Sequence, residues 1–251
     1  MADAERVTVA VLIIGDEILS GRTQDTNLNF IARYLAAFGV DVAEARVVGD
    51  AREAIIPALN ALRGSYDYVI TTGGIGPTHD DITADCVAEA FDLPLMEHPE
   101  IVAMMEARGG YELTPARRRM ARVPQGGGLV KNPGQGPPGF SIGNVFVLAG
   151  VPAVMRGMME DVAPKMRAGV VVSARTVKVE GTGEGVLAEP LERVAKAHPK
   201  LALGSYPFFG PDGFGANLVI RGRDAAEVET ATQELVTALE AIGAKFMRIE
   251  E

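Results

Sequence analysis

Two adjacent carboxylates, Asp80 and Asp81, close a glycine-rich segment of this chain and could take part in binding a phosphorylated ligand. The segment reads TTGGIGPTHDD over residues 71–81. Because the acids alone would repel a phosphate held on the same loop, we expect a divalent cation such as Mg²⁺ between the acids and the phosphate oxygens. A simpler interpretation is that Asp81 is the N-cap of the following helix and that Asp80 only interacts favourably with the helix dipole.

The glycines of this segment fall at a predicted strand-to-helix turn. Residues 68–72 have the composition of a buried parallel strand, and residues 82–91 have helical spacing. Open α/β sheets bind ligands at such turns, where glycines can take positive φ and the helix start offers unpaired N–H groups to an anion. The residues predicted to bind the ligand here are Thr72, Gly73, Gly74, Gly76, Pro77 and Thr78.

A second acidic turn follows residues 7–14, an apolar run typical of a central parallel strand. The chain there reads Gly15, Asp16 and Glu17, and a polar loop then leads to Asn27 and an amphipathic helix. If the two predicted strands are neighbours, four acids and Asn27 converge on one crevice. The alternative is that Asp16 and Glu17 form an ordinary turn. The predicted catalytic residues are Asp16, Glu17, Asp80 and Asp81; of these Asp16, Asp80 and Asp81 are also predicted to bind metal, and Gly15 and Asn27 to bind the ligand.

A third strand-to-helix junction, in which residues 145–148 run into Gly150 and Pro152, is predicted to close this crevice with its backbone. Both residues are therefore predicted to bind the ligand. The methionines that follow have helical spacing and are better explained as a core stripe than as ligands. His79, a lone histidine in the glycine-rich segment, is expected to face solvent.

The two acidic turns, GDEILSGRTQDTN at residues 15–27 and TTGGIGPTHDDIT at residues 71–83, resemble those of the molybdopterin-binding (MoaB/Mog-type) domain family. The resemblance is narrower to the N-terminal domain of competence/damage-inducible protein A (CinA) and to the related domain of eukaryotic FAD synthases. Further matching segments occur in the family's order at residues 132–140, 148–159, 181–185 and 204–207. The resemblance therefore extends over nearly the whole chain.

This resemblance implies a phosphorylated ligand, either a nucleotide or a pterin, and a homodimeric protein. In the CinA branch it implies divalent-metal-dependent cleavage of ADP-ribose-like pyrophosphates. Many relatives have Pro at the position of Ala149 and Glu at that of Val154. This departure is consistent with the alternative, a non-catalytic molybdopterin- or nucleotide-binding protein linked to molybdenum cofactor biosynthesis. The family's nicotinamide mononucleotide deamidase is an additional C-terminal domain, and we expect this chain to lack that activity.

Strand and helix patterns alternate in the first two thirds of the chain. They predict the α/β class, with a three-layer MoaB/Mog-like domain and a mostly parallel sheet over residues 1–168. The order strand, helix, strand, strand, helix, strand that follows predicts a small α+β ferredoxin-like domain over residues 169–251. In that domain, Tyr206 to Phe214 are predicted to form a hairpin loop whose aromatics dock on the first domain or a second subunit, or pack beneath the loop. Pro57 lies in a predicted helix, which must therefore start late or kink.

The composition fits a cytoplasmic protein of 251 residues with a substantial core, since 47% of its residues are hydrophobic and 23% are charged. The single cysteine, Cys86, cannot form an internal disulfide and is expected to be buried. A net charge of −9 argues against a nucleic-acid-binding surface. No apolar run reaches the ~20 residues of a membrane helix, and the N-terminus lacks the features of a signal peptide.

One dense basic cluster contrasts with this acidic composition. Its members are Arg117, Arg118, Arg119 and Arg122. Thr114 could cap a helix that contains them, with Pro115 at the first helical position. The cluster is better explained as a solvated helix face than as a phosphate clamp.

Overall fold

A computed structural model of the chain describes residues 6–107, 112–134, 136–211 and 213–249. The chain divides into two compact units, Met1–Gly169 and Val170–Glu251. None of the helices in the described ranges combines the length and the apolar character that a membrane span requires.

The first unit is built on a sheet whose strands are separated by helices. Its strands are β1 (Val7–Ile14), β2 (Val40–Val48), β3 (Tyr68–Thr72), β4 (Leu95–Glu97), β5 (Arg122–Pro124), β6 (Gly128–Val130), β7 (Gly139–Ile142) and β8 (Val145–Leu148). Its helices are α1 (Asp16–Leu19), α2 (Asn27–Ala36), α3 (Arg52–Ser65), α4 (Thr83–Ala90), α5 (Pro99–Glu106), α6 (Pro115–Arg118) and α7 (Pro152–Val162). The strands predicted before both acidic turns and before the third junction are confirmed.

The main sheet has the strand order β2-β1-β3-β8-β7-β6. Strand β1 pairs in parallel with both β2 and β3, and β3 pairs in parallel with β8. Strand β7 is antiparallel to β8 and to β6, while β4 and β5 form a separate antiparallel pair. The chain runs from β1 to β2 on one side and then crosses to β3 on the other side of β1. This reversal places a topological switch point between β1 and β3, where α/β sheets bind ligands.

Helices cover both faces of this sheet because alternate residues of β1 point to opposite sides. Leu12 packs with the buried apolar residues of α3, α4 and α5, and Val11 packs with those of α2 and α7. The methionines predicted as a core stripe belong to the second of these clusters: Met155, Met158, Met159 and Met166. The predicted three-layer α/β architecture is confirmed.

Helix α3 begins at Arg52 and continues through Pro57, so of the two predicted alternatives, a late start or a kink, the late start is wrong. Proline removes one helical hydrogen bond, which is destabilising in a helix interior. The fully buried side chains of Ile55, Leu59 and Leu62 hold the helix against the sheet on both sides of Pro57. Tertiary packing therefore overrides the local preference.

The second unit has the order predicted for a small α+β module. Its elements are β9 (Ser173–Glu180), α8 (Glu184–Ala197), β10 (Ala202–Gly210), β11 (Gly213–Gly222), α9 (Ala225–Ala241) and β12 (Lys245–Ile249). The strand order is β10-β11-β9-β12 and every pairing is antiparallel. Apolar residues of the central strands β9 and β11 form a separate core with those of α8 and α9.

The predicted aromatic loop is a continuation of two strands. Strands β10 and β11 pair residue by residue from Tyr206, opposite Asn217, to Gly210, opposite Gly213. The aromatic residues extend the strands because their side chains suit a pleated surface. Phe209 is 83% exposed. Asp212, within the predicted loop, lies outside the described residues.

Candidate functional site

The carboxyl ends of β2, β1, β3 and β8 lie side by side, and their turns form the candidate site. The amide of Gly15 extends the pairing of β1 with β2 by donating to the carbonyl of Val48 at 3.1 Å. In the same way, the amide of Gly73 donates to the carbonyl of Leu148 at 3.2 Å and joins the turn after β3 to the end of β8. The three predicted strand-to-helix junctions are therefore neighbours.

Close backbone packing at Gly73 draws these turns together. Gly73 has φ of 104°, and a Cβ atom there would lie 2.1 Å from the carbonyl oxygen of Ile14 at the end of β1. A Cβ atom on Gly150, after β8, would lie 3.2 Å from the Cα of Gly73. Only glycine satisfies both the positive φ and the close approach at position 73.

The turn formed by residues 73–76, called the glycine turn below, is fixed to the start of α4 by Thr83, which is fully buried. Its hydroxyl donates to the carbonyl of Gly73 and its amide to the carbonyl of Gly74, both at 3.0 Å. Within the described residues, the amides of Gly74, Ile75 and Gly76 make no hydrogen bond. The turn thus leaves three N–H groups without a partner in the described chain, and free amides at the start of a helix can bind an anion.

Two residues of the glycine-rich segment that were predicted to bind the ligand, Gly73 and Thr78, have amides that are bonded within the protein. The amide of Gly73 is bonded to Leu148, and the amide of Thr78 donates to the Asp81 carboxylate at 2.9 Å. The Thr78 hydroxyl donates to the same carboxylate oxygen. Asp81 therefore stabilises the turn from within. The simpler interpretation of Asp81 as a helix N-cap is wrong, because the N-cap of α4 is Ile82 and no side chain caps the helix.

The acidic part of the site is centred on Asp50, which the sequence patterns did not single out. The amide of Asp16 donates to the Asp50 carboxylate at 2.8 Å. Burial raises the pKa of Asp50, the hydrogen bond from Asp16 opposes that rise, and the negative charges of Asp16, Glu17 and Asp80 raise the pKa further. The structure therefore brings three of the four predicted acidic residues close to a fifth acidic residue, Asp50.

The other predicted acids differ in their surroundings. Asp16 and Glu17 belong to helix α1, so they do not form an ordinary turn. The Glu17 carboxylate folds back over Gly15, where an added Cβ would lie 2.5 Å from Oε2. The Asp80 side chain is 61% exposed, and the Thr78 side chain is the main cause of its lowered pKa. His79 is 97% exposed, as predicted.

Asn27 joins the helix after the first acidic turn to the third junction. Its side-chain Nδ2 donates to the carbonyl of Gly150 at 2.8 Å. Asn27 is only 4% exposed, and its Oδ1 and the buried Thr72 hydroxyl have no hydrogen-bond partner within the described chain. Buried polar atoms are normally paired, so these two atoms are suited to contacts with water or a ligand. Pro152, the first residue of α7, and Pro77 are exposed.

The carboxylates have the chemistry of a Mg²⁺ site, since this ion prefers oxygen ligands. In the described ranges, however, no group of three or more His, Cys, Asp or Glu side chains is arranged to hold a metal ion. Mg²⁺ is commonly bound by one or two carboxylates with waters and substrate phosphate oxygens completing its shell. The residues thus fit a cation that is shared with a phosphorylated ligand.

Two of the four arginines of the cluster form ion pairs with carboxylates. Thr114 caps α6 by accepting from the Arg117 amide, as predicted. Arg118 pairs with Glu97 at 2.7 Å, and Arg122 makes two bonds, of 3.1 and 2.7 Å, with Asp85. These contacts balance the charges of two of the four arginines.

A mostly parallel sheet with a glycine turn at its switch point is the arrangement in which α/β proteins bind ligands. Residues 10–168 match the family described as "Probable molybdopterin binding domain", and residues 172–245 match "FAD synthase, middle domain". The chain belongs to the molybdopterin-binding domain family. The family resemblance of the two acidic turns is therefore confirmed.

Relatives of known sequence and structure agree with this assignment. A CinA-like protein of Gemmatimonas aurantiaca is 33% identical over 94% of this chain and 58% of its own length. A protein of Archaeoglobus fulgidus is 31% identical over 89% of this chain and 94% of its own length. The crystal structure of CinA from Thermoplasma acidophilum, a protein described as having unknown function, is 32% identical with a TM-score of 0.60, covering 64% of this chain and 99% of that one. The chain spans about half the length of the CinA-like relatives that it matches, for example 46% in Parasynechococcus marenigrum.

Proposed function

We propose that the first unit hydrolyses the pyrophosphate bond of an ADP-ribose-like dinucleotide with the help of a divalent cation. The observation that carries this proposal is the position of three free turn amides beside a group of mutually repelling carboxylates. The amides suit an anion, whereas the carboxylates suit a cation, and a metal-bound pyrophosphate supplies both. The family match and the CinA-like relatives support a phosphorylated small molecule as the ligand.

Ligand binding is assigned to the glycine turn and to the buried polar atoms near it. The amides of Gly74, Ile75 and Gly76 would hold the phosphate that is retained by the product, with the positive end of the α4 dipole behind them. The unpaired Asn27 Oδ1 and Thr72 hydroxyl would orient the remainder of the ligand. This arrangement would hold the scissile bond in place through neutral N–H groups, so the turn itself would add no net positive charge.

The cation is assigned to Asp16 and Asp80, with Asp50 completing the acidic group. A bound divalent cation would neutralise charge on the pyrophosphate oxygens near the scissile bond. Asp81, whose carboxylate is bonded to Thr78, is assigned to maintaining the turn. Repulsion among the acids is costly in the absence of a positive charge, which supports a role for these acids in cation binding.

Glu17 is assigned to orienting the attacking water. Its carboxylate lies against Gly15, and Glu17 is exposed and follows Asp16 in the chain. The water oxygen would form a new bond to phosphorus, the bridging P–O bond would break, and the water proton would pass to a carboxylate. With ADP-ribose the products are AMP and ribose 5-phosphate.

The test is to incubate the purified chain with ADP-ribose, NAD, FAD and adenylated molybdopterin, each with Mg²⁺ and with EDTA. The proposal expects AMP to appear only with Mg²⁺ and to be lost in the Glu17→Gln variant. Glu160→Gln, on the exposed side of α7, is the matched control and should retain activity. Activity that persists in EDTA, or that Glu17→Gln leaves unchanged, would contradict the assigned roles.

A second function, binding without turnover, has its own support. The described residues contain no preformed metal-ligand group. In addition, Ala149 and Val154 are half-buried against the apolar cluster that includes residues of α2 and α7. Val154 therefore lacks the charge of the glutamate that many relatives have at this position. This function expects adenylated molybdopterin or ADP-ribose to raise the melting temperature with no product formed.

A further inference from the structure

Arg119 lies beside the glycine turn with an unsatisfied hydrogen-bond donor. It begins the 3₁₀ turn Arg119–Ala121 that follows α6. One terminal guanidinium nitrogen donates to the carbonyl oxygen of Asp81 at 3.2 Å. The Arg119 Nε is buried, and no acceptor in the described part of the chain reaches it. Because a buried donor without an acceptor is unfavourable, this position suits an acceptor supplied by a ligand.

The charge of Arg119 is also free for a ligand. Its neighbours Arg118 and Arg122 are paired with Glu97 and Asp85. Among the described residues, Arg119 forms no ion pair with a carboxylate, although its charge contributes to lowering the pKa of Asp80. A guanidinium with available N–H groups binds phosphate oxygens with good geometry. Arg119 therefore differs from Arg118 and Arg122.

A small cleft connects Arg119 to the turn amides. Gly74, Ile75 and Gly76 line one part of it, and Arg119 and Arg122 line another. The cleft has about 20 Å³ of space, and a cavity of ~10–15 Å³ holds one water molecule. It can therefore admit a single oxygen atom of a phosphate while the rest of the phosphate remains on its open rim.

We propose that Arg119 is a substrate-binding residue whose guanidinium donates to an oxygen of the phosphate held by the free amides of the glycine turn. The inference rests on the proposed function, because it concerns the same ligand at the same turn. It adds that recognition of the phosphate requires an arginine from a segment 45 residues along the chain from Gly74. It also predicts that this contact operates without a divalent cation.

The experiment measures ligand binding by calorimetry in EDTA, with ADP-ribose, AMP and adenosine. Arg119→Met removes the donors and keeps an apolar stem, and Arg118→Met is the matched control on the same segment. For Arg119→Met we expect ADP-ribose and AMP to bind about 10- to 150-fold more weakly, the range for a hydrogen bond to a charged group. Adenosine binding should not change, and Arg118→Met should bind all three ligands within about twofold of the wild type.

The three ligands separate a phosphate contact from a structural role. An equal loss of affinity for adenosine, or no loss for AMP, overturns the inference. If Arg119→Met does not fold, Arg119→Lys decides the question: it keeps the charge but not the guanidinium fork, and unchanged AMP affinity would overturn the inference. A wild-type protein that binds ADP-ribose without cleaving it overturns only the proposed hydrolysis. One that binds neither AMP nor ADP-ribose overturns both.

Discussion

The backbone amide of Asp16 donates a hydrogen bond to the side chain of Asp50 at 2.8 Å. This bond ties the turn after β1 to the turn after β2, two adjacent parallel strands. It also holds Asp50 among other acids, in a half-buried position where its pKa is raised. The resulting accumulation of negative charge next to the glycine turn is the basis for expecting a cation.

Asp50→Asn should lower ADP-ribose turnover without unfolding the protein. Asparagine keeps an oxygen that can accept from the Asp16 amide, but it removes the charge. We expect turnover to fall by about 10²-fold or more, the effect of removing one electrostatic group from an active site. The melting temperature should stay close to that of the wild type. Initial rates of AMP release and thermal unfolding measure the two effects, and normal turnover in this variant would argue against Asp50 belonging to the site.

Gly73→Ala should destabilise the first unit. Alanine at φ of 104° is strained, and its Cβ would meet the Ile14 carbonyl oxygen at 2.1 Å. We expect the free energy of unfolding to decrease by about 2–4 kcal/mol. Gly64→Ala is the control, because position 64 lies in α3 with no atom within 4 Å of an added Cβ. That change should be neutral or stabilise by up to ~1 kcal/mol, since alanine favours a helix. Urea unfolding of both variants gives the comparison.

Asp67 should make stability depend on pH at the acidic end. The Thr8 amide is the main cause of its lowered pKa, at a distance of 2.8 Å, and the Thr8 hydroxyl and Arg167 lower it further. Because the pKa of Asp67 is lowered in the folded state, its ionised carboxylate stabilises the fold at pH values above its ordinary pKa of 3.8. This stabilisation is lost as the pH falls through the lower pKa of the folded state.

The Asp67→Asn variant tests this dependence. At pH 7 it should be less stable than the wild type by about 1 kcal/mol, because the group is partly screened by solvent. The difference should shrink when unfolding is repeated in acid. Glu160→Gln controls for the loss of a surface carboxylate. A difference for Asp67→Asn that is constant from pH 7 into acid would show that the charge of Asp67 is not responsible.

Cys86 should be unreactive in the folded protein. It is fully buried in α4, and burial raises its pKa to about 11, so the thiolate that reacts with alkylating reagents is scarce near neutral pH. We expect iodoacetamide to label Cys86 only after unfolding in urea. Mass spectrometry of samples treated with and without urea measures the labelling. Rapid labelling of the folded chain would show that α4 opens readily or that the thiol is accessible.

Local patterns were sufficient to predict most of the architecture. Apolar runs and helical spacing predicted the parallel strands, the change to an α+β module and the buried methionines. They did not predict that α3 begins before Pro57 or that the aromatic residues belong to paired strands, because packing and strand pairing extend both elements beyond their local signals. Both failures concern contacts between residues that are distant in the chain.

The candidate site shows the same division. Glycines followed by acids after apolar runs identified both acidic turns, because such turns depend on a few consecutive residues. Asp50 also follows a strand, β2, so its position offered the same signal. Its proximity to Asp16 became visible only once β2 was placed beside β1, and the bond between Asp81 and Thr78 only once the turn was closed.

By itself, the sequence determined the strands and helices, the glycine turn, the acidic residues and the family, since each of these is encoded in consecutive residues or in their periodicity. Only the tertiary structure decided which acids share a neighbourhood and which arginine retains free donors. Strand order, burial and competing partners set those relationships. These depend on long-range packing, which no local pattern specifies.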